Sequence, residues 1–288
     1  MHQPGEVDTL EQVGLPWRDN AFFAWWDHHR SVYGIVHVST SLNGGGLRAR
    51  CALRIGDRDR EIVEDLSVGT FDSASIRVRL DGRILVEHHA MGLDLIMTPM
   101  FATVDFTTNR SVPSLTEEFP VHHYQRGFHA EGTATLGGER RDFSGVGWRD
   151  RTWGYRNESA QWVEYFYANF VMPDCAIGLW KALGADGKKR AFAWRVDDHG
   201  QATLGDFTFA RDGAGLFSDA AIDLGGQTAC FEKIETTAGW WLPMGARQTG
   251  PTFAAWDEWF TVRTGDGDVV GALGEYGCLR QVLGCVPA

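Results

Sequence analysis

One stretch decides the class of fold: Trp162-Val163-Glu164-Tyr165-Phe166-Tyr167-Ala168-Asn169-Phe170. Successive side chains of an extended strand point to opposite faces of a sheet. An extended chain would therefore place Glu164 and Phe166 on one face, and Tyr165 and Tyr167 on the other. This repeat of two residues is the pattern of a half-buried antiparallel strand rather than of an amphipathic helix.

The same alternation recurs along the chain between frequent turn signals, for example at Ile76, Val78 and Leu80. Glycine pairs and Asp-Gly steps mark turns at 43–46, 81–82, 137–138, 186–187, 212–213, 225–226 and 265–268. The aromatic stretch 15–29 could hold a short helix or an irregular cap, and no long amphipathic helix is visible. Many short strands joined by tight turns indicate a sandwich or barrel. We expect an all-β protein with two antiparallel β domains, 1–140 and 141–288.

Composition and charge narrow the classes of partner. The chain has 288 residues, with 27 Lys and Arg against 38 Asp and Glu, which gives a net charge of −11. An acidic protein is a poor partner for nucleic acid or an anionic membrane. The 12 tryptophans suggest wide apolar surfaces with a polar N–H at the edge. Since neither a signal peptide nor a membrane-spanning apolar run is visible, we expect a cytoplasmic protein. We expect it to be a monomer or a homodimer.

The usual motifs for cofactors and metals are missing from the sequence. It contains no GxxxxGK[ST] or GxGxxG phosphate loop, no GxSxG elbow and no HExxH zinc motif. Adjacent histidines occur at 28–29, 88–89 and 122–123, but neighbours on a strand point to opposite faces and chelate poorly. We therefore expect neither a cofactor nor a metal. His122 or His123 could still exchange a proton near neutral pH.

Residues 145–156 form the densest chemical cluster, Gly-Val-Gly-Trp-Arg-Asp-Arg-Thr-Trp-Gly-Tyr-Arg. On an extended strand Trp148 and Asp150 would share one face, and Arg151 and Trp153 the other. Guanidinium groups stack on indole rings and hold carboxylates in a fixed geometry, so the cluster predicts a partly buried ion-pair network. Such a network suits a structural corner that locks two sheets together or a functional site equally well.

The cluster resembles the Gly-x-Arg-Asp-His-Ser-Trp-Gly-x-Arg signature of the hydroxyneurosporene synthase (carotenoid 1,2-hydratase) and AttH-like superfamily. Weaker matches flank it at Trp25-Trp26-Asp27, at 123–127 and at 274–277. The resemblance implies two lipocalin-like β domains side by side, an architecture similar to that of tocopherol cyclases and Diels–Alderase-type cyclases. The signature would lie in the second domain, residues 141–288.

The sequence departs from that signature at Arg151 and Thr152, where the family has His and Ser. In the carotenoid hydratases, that His and the following Trp are implicated in catalysis. Trp153 keeps the aromatic ring, but an arginine stays protonated and cannot shuttle a proton. The departure disfavours carotenoid hydration itself.

The aromatic content favours a non-redox enzyme that hydrates, dehydrates or cyclises an isoprenoid- or polyketide-like substrate in an aromatic-lined calyx, without a cofactor. We expect catalytic roles for Asp150, Trp153 and Glu164. Asp150 would be ionised and orienting, whereas Glu164 would be the acid if it faced an apolar interior, because burial raises a carboxyl pKa. The residues expected to bind the substrate are Trp26, His123, Trp148, Arg151, Arg156, Tyr165, Tyr167 and Glu275.

Two other functions remain open. The same calyx could carry a hydrophobic small molecule without chemistry, as an intracellular lipocalin-like carrier. Alternatively, exposed tryptophans at 240–241 and 256–259 could form an interaction surface. A titratable group beside aromatic side chains inside the barrel would favour the enzyme.

Overall fold

The computed structural model describes residues 17–41, 46–67, 69–107, 112, 115, 118–204, 206–244 and 251–281. Within these ranges the chain folds almost entirely into antiparallel β-strands. They form two compact units, which divide between Asn157 and Glu158. No helix in the described ranges is long and apolar enough to cross a membrane.

The first unit is one curled antiparallel sheet of ten strands. Its strands are β1 (Trp17–Asp27), β2 (Val32–Ser41), β3 (Gly46–Ile55), β4 (Arg58–Asp65), β5 (Ile76–Arg79), β6 (Arg83–His88), β7 (Met91–Pro99), β8 (Val104–Asp105), β9 (His122–Leu136) and β10 (Glu139–Tyr155). They pair in the order β4-β3-β2-β1-β10-β9-β7-β6-β5, and β8 also pairs with β9.

The second unit begins with a short helix and forms a nine-stranded sheet. Its elements are α1 (Glu158–Gln161), β11 (Trp162–Val171), β12 (Ala176–Gly184), β13 (Lys189–Asp197), β14 (Gly200–Leu204), β15 (Phe207–Arg211), β16 (Phe217–Asp223), β17 (Thr228–Met244), β18 (Pro251–Thr264) and β19 (Val269–Gln281). They pair in the order β14-β13-β12-β11-β19-β18-β17-β16-β15. The predicted all-β fold with two lipocalin-like antiparallel units is confirmed.

The division between the units lies later than the sequence suggests. β10 begins at Glu139 and pairs along its length with β9, and from Val146 onwards it also pairs with β1. A boundary at residue 140 would cut this sheet at the start of β10. The expected domains 1–140 and 141–288 are therefore corrected to 1–157 and 158–288, and the signature belongs to the first unit.

β1 shows how tertiary contacts override a local pattern. The aromatic stretch that could have been a helix or a cap forms a central strand, Trp17–Asp27, between β2 and β10. Almost every residue of β1 is buried. A strand that is covered on both faces loses the alternation of polar and apolar residues by which a strand is recognised.

Each sheet packs one face against an apolar core of its own. In the first unit this core includes Phe23, Trp25 and Phe128, and in the second it includes Phe166 and Phe170. Phe23 and Trp25 pair directly with positions 149 and 147 of β10. We call the face of β10 with residues 147, 149, 151 and 153 the core face, and the face with residues 148, 150 and 152 the outer face.

The glycines of the signature allow close packing on β10. A Cβ atom at Gly147 would overlap the Phe128 ring and lie 2.5 Å from the carbonyl oxygen of Ala24. Only glycine therefore fits between the two neighbouring strands here. This glycine serves the sheet that positions the charged residues following it.

Candidate active site

The signature strand presents two chemically different faces. Asp150 lies on the outer face, paired with Phe22 of β1 and Gln125 of β9. Trp153 lies on the core face, paired with His122. The two residues expected to be catalytic in the signature therefore point to opposite sides of the sheet.

Asp150 is held by three side chains of β9 and β10. Its Oδ2 contacts His123 Nε2 and accepts a hydrogen bond from Gln125 Nε2 at 2.9 Å. Its Oδ1 accepts a hydrogen bond from Thr152 Oγ1. Burial alone would raise the pKa of Asp150, but His123 and these hydrogen bonds outweigh burial and hold the pKa well below its ordinary value. Asp150 is thus an anion that can orient a partner, as the sequence predicts, and not a proton donor.

Gln125 is fixed in turn by a tryptophan of the outer face. Trp148 Nε1 donates a hydrogen bond to Gln125 Oε1 at 3.0 Å. An indole N–H is only a donor, so it holds the amide oxygen of Gln125 and turns the amide NH₂ towards Asp150. Both Trp148 and Gln125 are buried. Trp148 therefore acts on Asp150 through Gln125.

His123 is buried beside an aromatic ring as well as a carboxylate. Its ring lies 5.0 Å from the ring of Phe106, and its backbone N–H donates to Thr107 Oγ1 at 3.3 Å. Another histidine, His37, lies two strands away on the same row of the outer face as Asp150. Burial, assisted by Arg50 and Arg156, lowers the pKa of His37 to about 4, so this ring is neutral at physiological pH.

The outer face therefore has the parts for acid–base chemistry. An imidazole ordinarily exchanges its proton between about pH 5 and 8. A carboxylate that contacts one ring nitrogen fixes the orientation of the ring and stabilises its protonated form. In this cluster Asp150 contacts one ring nitrogen of His123 and so fixes the orientation of the ring.

Arg151 on the core face is part of an ion pair within the fold. Its guanidinium contacts Asp19 of β1 and donates to the backbone carbonyl of Asn20 at 2.8 Å. The Trp153 and Phe71 rings lie 5.0 and 5.2 Å from the guanidinium carbon. Arg151 is 4% exposed and Asp19 is 1% exposed. Arg151 thus belongs to a buried ion pair between neighbouring strands of one sheet, not to a corner that joins two sheets.

Trp153 and Trp26 are not gathered around Asp150. Trp153 stacks on His122 and on Tyr124. The centroid of its ring lies 4.9 Å from that of His122 and 5.6 Å from that of Tyr124. Trp26 shares the outer face but pairs with Val146, four residues along β10 from Asp150. Arg156 follows the end of β10 and is buried.

The candidates of the second unit are Glu164, Tyr165, Tyr167 and Glu275. Glu164 is exposed near the start of β11, although regular pairing from Glu164 onwards leaves it on the same face as Phe166. The condition under which Glu164 would be the acid, a position that faces an apolar interior, is therefore not met. Tyr165 Oη donates a hydrogen bond to Glu275.

Tyr167, also in the second unit, is buried and stacks on Trp194 at 6.0 Å. Its hydroxyl accepts a hydrogen bond from the side-chain amide of Asn169.

Gln125 is the residue of the Asp150 cluster that sequence reasoning missed. The signal that could have found it is the Gly137-Gly138 turn, where both glycines have positive φ, at 58° and 85°. A two-residue hairpin turn fixes the register of its two strands. Counting equal numbers of residues back from this turn places Gln125 opposite Asp150.

The sequence also gave no sign of a second buried carboxylate, Glu258 of β18. Glu258 is fully buried and accepts hydrogen bonds from Lys233, Thr236 and Tyr276, the last at 2.7 Å. Burial and the nearby Glu258 charge raise the pKa of Tyr276. The backbone N–H of Phe217 donates to the same Tyr276 hydroxyl at 2.7 Å.

The sequence matches the model of a family described as a domain of unknown function, DUF7064, over residues 2–271. The chain belongs to the DUF7064 family. The match covers the first unit and most of the second. No curated protein matches the sequence.

Solved structures share the fold across nearly the whole chain. An AttH-like protein of Nitrosomonas europaea has a TM-score of 0.61 at 13% identity, covering 92% of this chain and 93% of that one. The structure of CghA with Sch210972 has a TM-score of 0.60 at 12% identity, covering 91% of this chain and 88% of that one. Kievitone hydratase from Nectria haematococca has a TM-score of 0.54 at 14% identity, covering 97% of this chain and 91% of that one. At these identities the likeness establishes an AttH-like fold.

Proposed function

We propose that this DUF7064 protein is an acid–base enzyme that hydrates, dehydrates or cyclises a hydrophobic small molecule of the isoprenoid or polyketide kind. The observation that carries the proposal is the contact between His123 and the ionised Asp150 on the outer face of β10. A hydratase and a protein solved with a bound small molecule share its fold, which supports this class of reaction.

The proposed chemistry uses a proton and no cofactor. Asp150 remains ionised and orients the imidazole of His123, which gives a proton to the substrate or takes one from it. Phe106 and Trp148 border the pair with aromatic surface. Such surface excludes water, and ring faces stabilise a developing cation. The Tyr165–Glu275 pair of the second unit is a further candidate for ligand contact.

A carrier without chemistry is the second candidate function. It is favoured by Arg151, which replaces the histidine of the carotenoid hydratase signature and lies in a buried ion pair. For carotenoid hydration, His123 would have to take over the role of that histidine, although His123 lies on the opposite face of the sheet from Arg151. We therefore propose the broader hydratase or cyclase class and leave carotenoids as one substrate to assay.

The test is incubation of the purified protein with an apolar extract of the cells that produce it, followed by mass spectrometry. We expect a compound to gain or lose one water, or to isomerise. His123→Gln should lower this turnover by about 10²–10⁴-fold, the usual contribution of a general acid or base. The matched control is His199→Gln, because His199 is exposed on a turn of the second unit.

Three results would contradict this proposal. A compound that binds and returns unchanged would make the protein a carrier. A product differing by two hydrogens would indicate redox chemistry. Full turnover by His123→Gln would remove the proposed proton-transfer group.

A further inference from the structure

Two arginines on the core face of the first unit are placed directly against each other. Arg126 of β9 and Arg149 of β10 are paired across the two strands. Directly opposed side chains have Cβ atoms about 5 Å apart, and like charges in this position repel. Both residues are partly buried, which weakens the screening of that repulsion by solvent. The arrangement is unfavourable unless something else neutralises it.

Among the residues that the structure describes, few groups compensate the charges of these two arginines. Arg126 donates through Nε to the backbone carbonyl of Phe101 at 2.9 Å and, more weakly, to that of Met100 at 3.4 Å. No carboxylate among the described residues forms an ion pair with Arg126 or Arg149. Burial and the charge of Arg126 lower the pKa of Arg149 to about 10, which still leaves it protonated at neutral pH.

The Arg126–Arg149 row has a neighbouring row on each side of the same face, and one of these rows contains an arginine whose charge is neutralised. One step along the strands, Arg151 is paired with Asp19 and covered by aromatic rings. On the other side lie Phe128 and the close contact at Gly147. The Arg126–Arg149 row therefore lies between an apolar core and an already neutralised ion pair.

We propose that Arg126 and Arg149 form a binding site for an oxyanion, a carboxylate or a phosphate that is free or carried by a small molecule. Two guanidinium groups offer planar sets of donors that match the oxygens of such a group. The bound anion would neutralise both charges and relieve their repulsion. The site lies on the opposite face of β10 from Asp150, so it does not depend on the proposed reaction.

Binding is tested with three probes: inorganic phosphate, dodecanoate and dodecanol. We expect at least one of the anions to bind more tightly than dodecanol. Binding of phosphate would identify a site for a free oxyanion, and binding of dodecanoate alone would identify a carboxylate carried on an apolar chain. Arg126→Gln and Arg149→Gln should each weaken anion binding by about tenfold or more, the loss expected for hydrogen bonds to a charged group. Arg140→Gln, an exposed position on the same strand, should leave it unchanged.

Thermal unfolding without ligand separates this site from a structural role. A repelling pair kept for a ligand predicts that Arg149→Gln has a Tm equal to or above that of the wild type. A lower Tm of Arg149→Gln would show that the pair stabilises the fold and would overturn the proposal. The same conclusion follows if neither anion binds, if dodecanol binds as tightly as the anions, or if Arg140→Gln loses as much binding as the other two variants.

Discussion

Asp150 of the first unit and Glu258 of the second both lie in clusters of polar side chains, and the two clusters differ in the partners of the carboxylate. Asp150 in the first unit contacts an imidazole, an amide and a hydroxyl. Glu258 in the second contacts the ammonium of Lys233 and the phenol of Tyr276, whose pKa is raised further by burial and by Glu258 itself. Of these partners, only the imidazole ordinarily exchanges a proton between about pH 5 and 8.

The difference teaches that a buried carboxylate indicates chemistry only when its partner can take up and release a proton. Glu258 lies against the apolar core, where Lys233 also lies 5.6 Å from the Phe260 ring. We expect Glu258 to stabilise the second unit and Asp150 to serve the proposed reaction.

The largest effect on stability is expected for Glu258→Gln. Removing one partner of a buried ion pair leaves the other charge uncompensated and costs about 3–5 kcal/mol. We expect the free energy of unfolding in urea to fall by that amount, while turnover per folded molecule is retained. Loss of turnover with unchanged stability would exchange the roles of the two carboxylates.

The pH dependence of stability should reveal the neutral His37 on the outer face. Its pKa of about 4 in the folded protein lies below the ordinary 6.5. As the pH falls, the unfolded chain therefore takes up the proton first, and the free energy of unfolding falls between pH 6.5 and 4. Over that range, His37 accounts for about 3 kcal/mol at 1.36 kcal/mol per pKa unit.

In the variant His37→Asn, the free energy of unfolding should fall less steeply between pH 6.5 and 4, a fall that we call the acid limb. Urea titrations at successive pH values measure it. His28 has a similarly lowered pKa of about 4, caused mainly by burial, so its share of the acid sensitivity should remain. His199→Asn is the control and should leave the curve unchanged. An acid limb that keeps its full slope in His37→Asn would show that this ring is protonated in the folded state.

A smaller effect is expected for Trp148→Phe. The change removes the indole N–H that holds the Gln125 amide, so the amide can turn its oxygen towards Asp150. One hydrogen bond corresponds to about tenfold in rate, and we expect that loss in kcat with little change in KM. Trp241→Phe, at a tryptophan that is 39% exposed, is the control. A loss confined to KM would mean that Trp148 only contacts the substrate.

The smallest effect is expected for Glu164→Gln, which should change neither turnover nor Tm by more than the experimental error. The carboxyl group is exposed at the irregular start of β11, and surface substitutions of this kind change stability by less than about 0.5 kcal/mol. Both turnover and Tm should equal those of the wild type. A large loss of turnover would restore Glu164 as the acid of the reaction.

Local pattern and turn chemistry account for what the sequence could predict. The alternation at 148–153 correctly separates Asp150 from Arg151. The Gly137-Gly138 turn also fixes the register of β9 and β10, which brings Gln125 opposite Asp150. These relations are within reach of sequence reasoning because they join residues of one strand or one hairpin.

Long-range pairing accounts for what the sequence could not predict. Arg151 meets Asp19 across 132 residues of chain, because β1 pairs with β10 at the centre of the sheet. The same pairing places the signature in the first unit. The exposure of Glu164 at the start of β11 was also beyond prediction, because a repeat of two residues assigns a face and does not say how far the covering core extends along the strand.

A double-mutant cycle on turnover tests the central claim most directly, with the substrate identified from the cell extract. It compares His123→Gln, Asp150→Asn and the double variant. If Asp150 acts by orienting His123, the double variant will be no slower than His123→Gln alone, because residues that act as a unit are not additive. If the two losses multiply, Asp150 and His123 act independently, and the proton-transfer pair proposed for the outer face of β10 is wrong.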